Sequence, residues 1–462
     1  MDISFYGATR EVTGSSFLVR AAGRRILIDC GLIQGSAEHE QHNRSPFPFS
    51  PQDVDAVVLT HAHLDHSGRL PLLVKQGFDG PIFTHRATVE LCAIMLEDAA
   101  YLQAKDAEWE TRRHKGKHQP EVAPLYDQND VHRTNRLFVP LEYDAPTPIL
   151  PGVSLTLRDA GHILGSSIAE LILHENGTSR TVVFSGDLGH SGAPILCDPT
   201  PVRKADLVVM ESTYGDRLHR PWEATWKEMG EIIRSADSGK GNILVPAFAV
   251  GRTQELLYAL HRHFDEWKLG NWQIVLDSPM AIKATEVYAR HAGLYDSAAR
   301  QWQAAGAQPF LLPNLKVSRR TEDSMRINEI QSGAIIIAGS GMCTGGRIRY
   351  HLKYNVWREN AHVLIAGFQA AGTLGRALVN GARHIRLWGE EIEVKACIHT
   401  VGGLSAHADQ DGLVDWYRRI EGRPRVVLVH GEPQAMDRLQ ERLRSDLHAD
   451  VTQAQFKQVI GL

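Results

Sequence analysis

Three imidazoles and a carboxylate fall within six residues, His61-Ala62-His63-Leu64-Asp65-His66, directly after the apolar run DAVVLT at 55–60. At strand spacing, His61 and His63 point the same way. The chain then turns, so Asp65 and His66 can face a second ion beside the first. Imidazole and carboxylate are natural ligands for Zn²⁺ or a similar divalent cation. The competing reading is a polar loop of solvated histidines.

Three further groups stand in matching places. His162 lies in AGHILGS after the strand pattern SLTLRDA, Asp187 in SGDLGH after TVVF, and His430 in VHGEP after VVLV. Each follows an apolar strand and is accompanied by a nearby glycine. Polar groups carried on strand ends converge on one rim of a sheet, which is how an α/β core builds a site. Alone, each reads as a turn residue. Together with the hexad they supply two ions: His61, His63 and His162 for one, Asp65, His66 and His430 for the other, with Asp187 bridging. Asp29, in LIDCG, ends another strand and reads either as an acceptor orienting a ligand histidine or as a turn cap.

The chain has 462 residues, about three domains at ~150 residues each, or two large ones. Fifty Lys and Arg against 54 Asp and Glu give a net charge of −4. That balance excludes a histone-like polycation but not a local basic cleft. The hydrophobic share of 43% and charged share of 23% are globular values. No apolar run reaches roughly 18 residues, so no membrane span is expected. The N-terminus lacks a basic region followed by an apolar one, so no secretory signal is expected. The five cysteines, Cys30, Cys92, Cys197, Cys343 and Cys397, are widely spaced, which fits a reducing, cytoplasmic compartment.

Periodicity divides the chain. Residues 16–19 and 25–28 read as paired strands, 81–84 as another, and 87–113 as a long helix ended by the basic segment HKGKHQP. Strand patterns resume at 154–158, 166–173 and 181–184. From about 206 strands alternate with helices, over 222–235, 253–264, 281–291 and 348–353, which argues for a parallel, doubly wound unit. Near 390 strands return (IEVKACIHT), followed by a helix over 410–418 and the strand VVLVH. Three strand–Gly-loop–helix junctions carry Arg252, Arg347 and Arg376. Gly-rich helix N-termini bind anions and Arg forks match phosphates. These arginines, with Thr253 and Ser340, are therefore expected phosphate contacts. His114, His118, His261 and His263 read as solvated or structural.

HAHLDHSG, AGHILGS, FSGDLG and VLVHGE resemble the metallo-β-lactamase fold; MESTYGDR, AGSGMCTGGR, GTLGRAL and LSAHAD resemble its β-CASP branch of RNA-processing nucleases. The resemblance covers nearly the whole chain with its motifs in order. It implies an α/β fold: an αββα sandwich holding two Zn²⁺ per chain, with a Rossmann-like parallel α/β β-CASP domain inserted. The expected boundaries are 1–208 and 386–462 for the sandwich and 209–385 for the insertion. Glu211 matches the first β-CASP motif, His407 the second and His430 the third. On the residues alone, Glu211 and His407 read as a helix cap and a loop histidine. The resemblance makes His407 a proton donor to the leaving oxygen or scissile phosphate, oriented by Glu211. Two departures stand out: no KH-type domain precedes the core, and the common His-His pair after GGR is Tyr350-His351 here.

The expected chemistry is two-metal hydrolysis of phosphodiester bonds in RNA, leaving 5′-phosphate and 3′-hydroxyl ends by family resemblance. A site between core and insertion would favour single-stranded RNA. Endonucleolytic cutting is the leading expectation and a 5′-exoribonuclease the alternative. Two rivals share the fold: another binuclear-zinc hydrolase acting on a thioester, lactam or DNA, and a non-catalytic RNA-binding scaffold, which would lack ligands that this chain has. The sequence is silent on oligomeric state; related enzymes often pair, so a homodimer stays open.

Overall fold

The computed structural model describes residues 1–114, 121–238, 241–367, 369–370 and 372–462. The basic segment after the long helix, with His118, lies outside the described residues, as do Phe368 and Ala371 of the third Gly-loop junction. The chain divides into two compact units. One comprises 1–191, 198–218 and 407–462; the other comprises 192–197 and 219–406.

The first unit is built on two seven-stranded sheets. One runs in the order Val459–Gly461, Asp2–Phe5, Phe17–Ala21, Arg24–Ile28, Ala56–Val58, Ile82–His85, Phe138–Leu141. The other runs Val451–Gln453, Arg425–Leu428, Leu207–Met210, Thr178–Phe184, Ser167–Glu175, Val153–Asp159, Thr147–Leu150. Alternation along the strands explains the layering. Ile26, Ile28, Ala56, Val58, Val182, Phe184, Val209 and Val427 join one core between the sheets. Val183, Val208, Met210, Val426 and Leu428 point the other way, onto Leu413, Trp416, Met436 and Leu439 of the helices Gln410–Arg418 and Pro433–Leu447. Leu27 and Val57 are buried but lie outside the core between the sheets. The helices Leu70–Lys75 and Arg86–His114 in turn bury Leu73, Leu91 and Leu96. Strands buried on both faces need near-continuous apolar runs, as VVLT, TVVF, LVVM and VVLV supply.

The second unit has a six-stranded sheet, in the order Leu315–Val317, Gln273–Leu276, Ala334–Ala338, Ile243–Pro246, His362–Ile365, Cys397–Thr400. Every pairing in it is parallel, so each crossover needs a helix. The expected return to the first unit at 386 differs from the structure. Glu390–Glu393 pairs with His384–Leu387, and Cys397–Thr400 adds to the inserted sheet beside His362–Ile365. The chain rejoins the first unit at His407. Among the described residues no helix is long and apolar enough to cross a membrane.

Candidate metal centre

The metal centre is assembled where strands of the first unit end. Residues 56–58 form the ladder, and Leu59 and Thr60 lead out of it to His61. His63 then caps a single helical turn, Leu64–Ser67. That turn is pinned by Ser67 Oγ donating to the Ala62 carbonyl (2.9 Å) and by the close approach of Gly31. A Cβ on Gly31 would collide with the Asp65 carbonyl. Only glycine lets the two backbones pass. His162, Asp187, Glu211 and His430 follow the strands ending at Asp159, Phe184, Met210 and Leu428. The last three of these strands are parallel neighbours, so their ends lie along one rim.

The expected ligands come together in this unit. His61, His63, His162 and Asp187 form one group of mutually close donor atoms, and Asp65, His66 and His430 form another. Asp187 faces both: Oδ2 is 3.4 Å from His61 Nε2 and Oδ1 is 3.3 Å from His66 Nε2. Imidazole nitrogens converge on one another, His63 Nδ1 on His162 Nε2 at 3.1 Å and His66 Nε2 on His430 Nε2 at 3.3 Å. Among the described residues His61 Nε2 and Asp187 Oδ1 are buried with no hydrogen-bond partner. Buried polar atoms are rarely left so. A divalent cation held by these groups would satisfy them, so the donor set fits the implied metal.

The electrostatics agree. Burial, then the charge of His66, pushes His61 down to about 3. Burial lowers His63 and, with His407, takes His162 well below its ordinary value. All three are therefore neutral imidazoles, the form that ligates. Burial alone would raise Asp65 and Asp187. The hydrogen bond to His430 and the charge of His66 outweigh it at Asp65, and the charges of His430 and His66 do so at Asp187. Burial opposes the charged form of His66, yet Asp187 and Asp29 raise it well above its usual value. Two buried carboxylates flank it and call for positive charge at this point.

Asp29 reaches the site from behind. Its carboxylate accepts from Thr60 N (2.8 Å) and Thr60 Oγ1 (2.9 Å) and lies 2.8 Å from His66 Nδ1, leaving Nε2 toward Asp187. Asp29 itself sits in the left-handed region, φ 58°, an uncommon backbone that Asp tolerates better than most. Two hydroxyls escaped the sequence analysis. Thr60 Oγ1 is 3.1 Å from His61 Nδ1, and Thr213 Oγ1 is 3.0 Å from His430 Nδ1. Their signal was adjacency: Thr60 immediately precedes His61, and Thr213 follows Glu211 by two.

Glu211 and His407 meet 196 residues apart, with His407 Nδ1 3.2 Å from both carboxylate oxygens. Glu211 is fixed in turn by Leu188 N–H (2.6 Å) and Thr213 N–H (3.3 Å). Burial would lower His407, but Glu211 and then Asp187 raise it to about 9. Its ring is 4.4 Å from that of His162, between centroids. The arrangement is an imidazole held by a buried carboxylate beside a cluster of metal donors.

The expected phosphate contacts differ from expectation. Arg252 is buried against Glu255 and donates to the Leu404 carbonyl. Arg347 donates to Asp277 (2.6 Å) and to the Ser318 carbonyl (3.0 Å). Thr253 Oγ1 turns inward onto the Phe248 carbonyl (2.7 Å), and Ser340 Oγ accepts from Gly345 N (3.1 Å). Two of the three arginines thus spend their forks on internal carboxylates. Arg376 is half-buried on the helix Leu374–Val379.

Comparison with known proteins gives this geometry a lineage. The metallo-beta-lactamase superfamily model matches residues 9–246, the Beta-Casp domain model 253–378, and that of a Zn-dependent metallo-hydrolase RNA specificity domain 391–452. Ribonuclease TTHA0252 of Thermus thermophilus is 41% identical, across 94% of this chain and 94% of its own length. Transcription termination factor FttA of Methanocaldococcus jannaschii is 31% identical, across 93% of this chain and 67% of its own. A protein of unknown function from Enterococcus faecalis V583 shares the fold at 13% identity, with a TM-score of 0.56 over 100% of this chain and 99% of its own. The chain belongs to the metallo-β-lactamase superfamily, in its β-CASP ribonuclease branch, and is a metal-dependent hydrolase.

Proposed function

We propose that the protein is a cytoplasmic ribonuclease that holds two zinc ions and cuts single-stranded RNA internally. The observation that carries this reading is Asp187, whose two oxygens face two separate groups of histidine and carboxylate donors. His61, His63, His162 and Asp187 would hold one ion; Asp65, His66, His430 and Asp187 would hold the other. Ions held there would supply Lewis-acid stabilisation of phosphoryl oxygens and would lower the pKa of water toward ~7. Imidazole-rich donors favour zinc over magnesium or calcium.

The chain's own groups do the rest. Asp29 fixes the His66 ring so that Nε2 is the nitrogen offered to the centre. Glu211 holds His407 by Nδ1, leaving Nε2 as the nitrogen that passes a proton to the leaving oxygen. All ten groups come from one chain, so a second copy is not needed to complete the site. The names of Ribonuclease TTHA0252 and of the RNA specificity domain support RNA as the substrate.

The test is digestion of single-stranded RNA labelled at either end, in linear and circular form. Cutting of the circle is expected. Stepwise shortening from the 5′ end, with the circle intact, would replace the endonuclease by an exonuclease. Hydrolysis of a thioester or lactam with RNA untouched would replace both.

A further inference from the structure

The second unit carries a cluster of exposed rings that the metal centre does not use. Tyr350 is 49% exposed, Tyr354 45%, Trp357 51% and Trp388 47%, and exposed rings gathered in one patch mark a contact surface where single ones do not. Tyr350 and Trp388 lie against each other, with centroids 4.4 Å apart and planes 31° off parallel. The Arg349 guanidinium sits 4.7 Å from the Trp388 ring centre and Lys353 Nζ sits 6.0 Å from it. From Arg347 to Arg358 the sequence has four cations and no carboxylate; Arg347 is held by Asp277, and the hairpin that carries Trp388 adds Glu390, Glu391 and Glu393.

The backbone at Trp388 is a second, independent observation. His384–Leu387 and Glu390–Glu393 form a hairpin in which Leu387 pairs with Glu390. The two residues between them, Trp388 and Gly389, have φ of 48° and 86°. A two-residue turn with both φ positive favours Asn-Gly or Gly-Gly; a bulky aromatic there is an outlier. Such strain persists where the side chain has a use. Here it lifts the indole out of the hairpin and onto the helix Ile348–Asn355 beside Tyr350. Lys353 pairs with Glu390 at 2.8 Å. This is an exposed ion pair of small worth, which a phosphate can displace.

We propose that Tyr350 and Trp388, flanked by Arg349 and Lys353, form a stacking platform that binds bases of the single-stranded RNA substrate. This rests on the ribonuclease reading above. Bases stack on exposed aromatic faces with little regard to sequence, and neighbouring cations take the phosphates. A second copy of the chain is the weaker occupant: Arg349 beside the Trp388 ring and Lys353 beyond it suit alternating bases and phosphates.

The test uses the full chain. In an Asp65→Ala background, which binds without cutting, Trp388→Ala is expected to weaken a long uridine oligonucleotide about tenfold, and Trp388→Phe to keep most of the affinity. Arg349→Ala and Lys353→Ala should each flatten the log affinity against log salt slope by about 0.7. With Asp65 restored, Trp388→Ala should raise KM for the oligonucleotide, leave kcat unchanged and leave cleavage of a dinucleotide unchanged. Trp388→Gly, which suits the turn, should weaken RNA binding without lowering the unfolding temperature, an outcome that a purely structural tryptophan would not give. Unchanged RNA affinity in Trp388→Ala, while the parent still binds and cuts, overturns the platform alone. Unchanged affinity with a shift from dimer to monomer in sedimentation assigns the patch to a second copy instead. A parent that neither binds nor cuts RNA overturns the ribonuclease reading and the platform with it.

Discussion

His66 shows how a single side chain is prepared for its task. One ring nitrogen is 2.8 Å from Asp29 and the other is 3.3 Å from Asp187, so the ring orientation is set before a metal arrives. The orienting carboxylate is itself tied down by Thr60 through both N–H and hydroxyl. Removing such a partner typically weakens metal affinity by about 10–100-fold. Asp29→Ala is therefore expected to raise the metal Kd by about that factor, read by competition with a chromophoric chelator, with cleavage restored in excess metal. An unchanged Kd would make Asp29 a turn residue only. At this scale the cluster of donor atoms was legible, because six residues of sequence carry four of the seven groups that come together. The hydroxyls of Thr60 and Thr213 were not, since a threonine beside a histidine has no distinctive spacing.

Elements were legible in proportion to their periodicity. The helix expected over 410–418 is found at Gln410–Arg418, and the one expected over 87–113 at Arg86–His114. The return to the first unit was misplaced because IEVKACIHT reads as strand whichever sheet accepts it. Register with His362–Ile365 is a tertiary fact. Arg252 and Arg347 teach the same lesson at two ranges. Glu255 stands three residues from Arg252 on one helix face and could have been seen; Asp277 lies 70 residues from Arg347. Asp277 joins Arg347, His351 (2.7 Å) and Ser324 (2.6 Å). Burial would raise it, but hydrogen bonds from His351, Ser324 and Ser318 hold it at about 2. A carboxyl depressed from its ordinary value of 3.8 stabilises the fold above that value, and this stability is lost as pH falls from about 4 through about 2. Asp277→Ala should lower stability near neutral pH by about 3 kcal/mol and flatten that acid limb in urea titrations. An unaltered limb would show that the network contributes no linkage.

For the whole molecule, the exposed rings of Tyr350 and Trp388, with Arg349 beside them, are brought together only by folding. The free cysteines predict that reductant leaves thermal unfolding unchanged. Chelation should lower the unfolding temperature, because a ligand bound only by the native state stabilises it; equal temperatures with and without chelator would mean that the donors hold no metal tightly. The most direct test joins composition to activity in one variant. Metal content and cleavage of single-stranded RNA are measured on the parent and on Asp65→Ala, with circular dichroism to check the fold. The account predicts two zinc ions per parent chain, fewer in the variant, an intact fold and no cleavage. Undiminished cleavage by Asp65→Ala would contradict it.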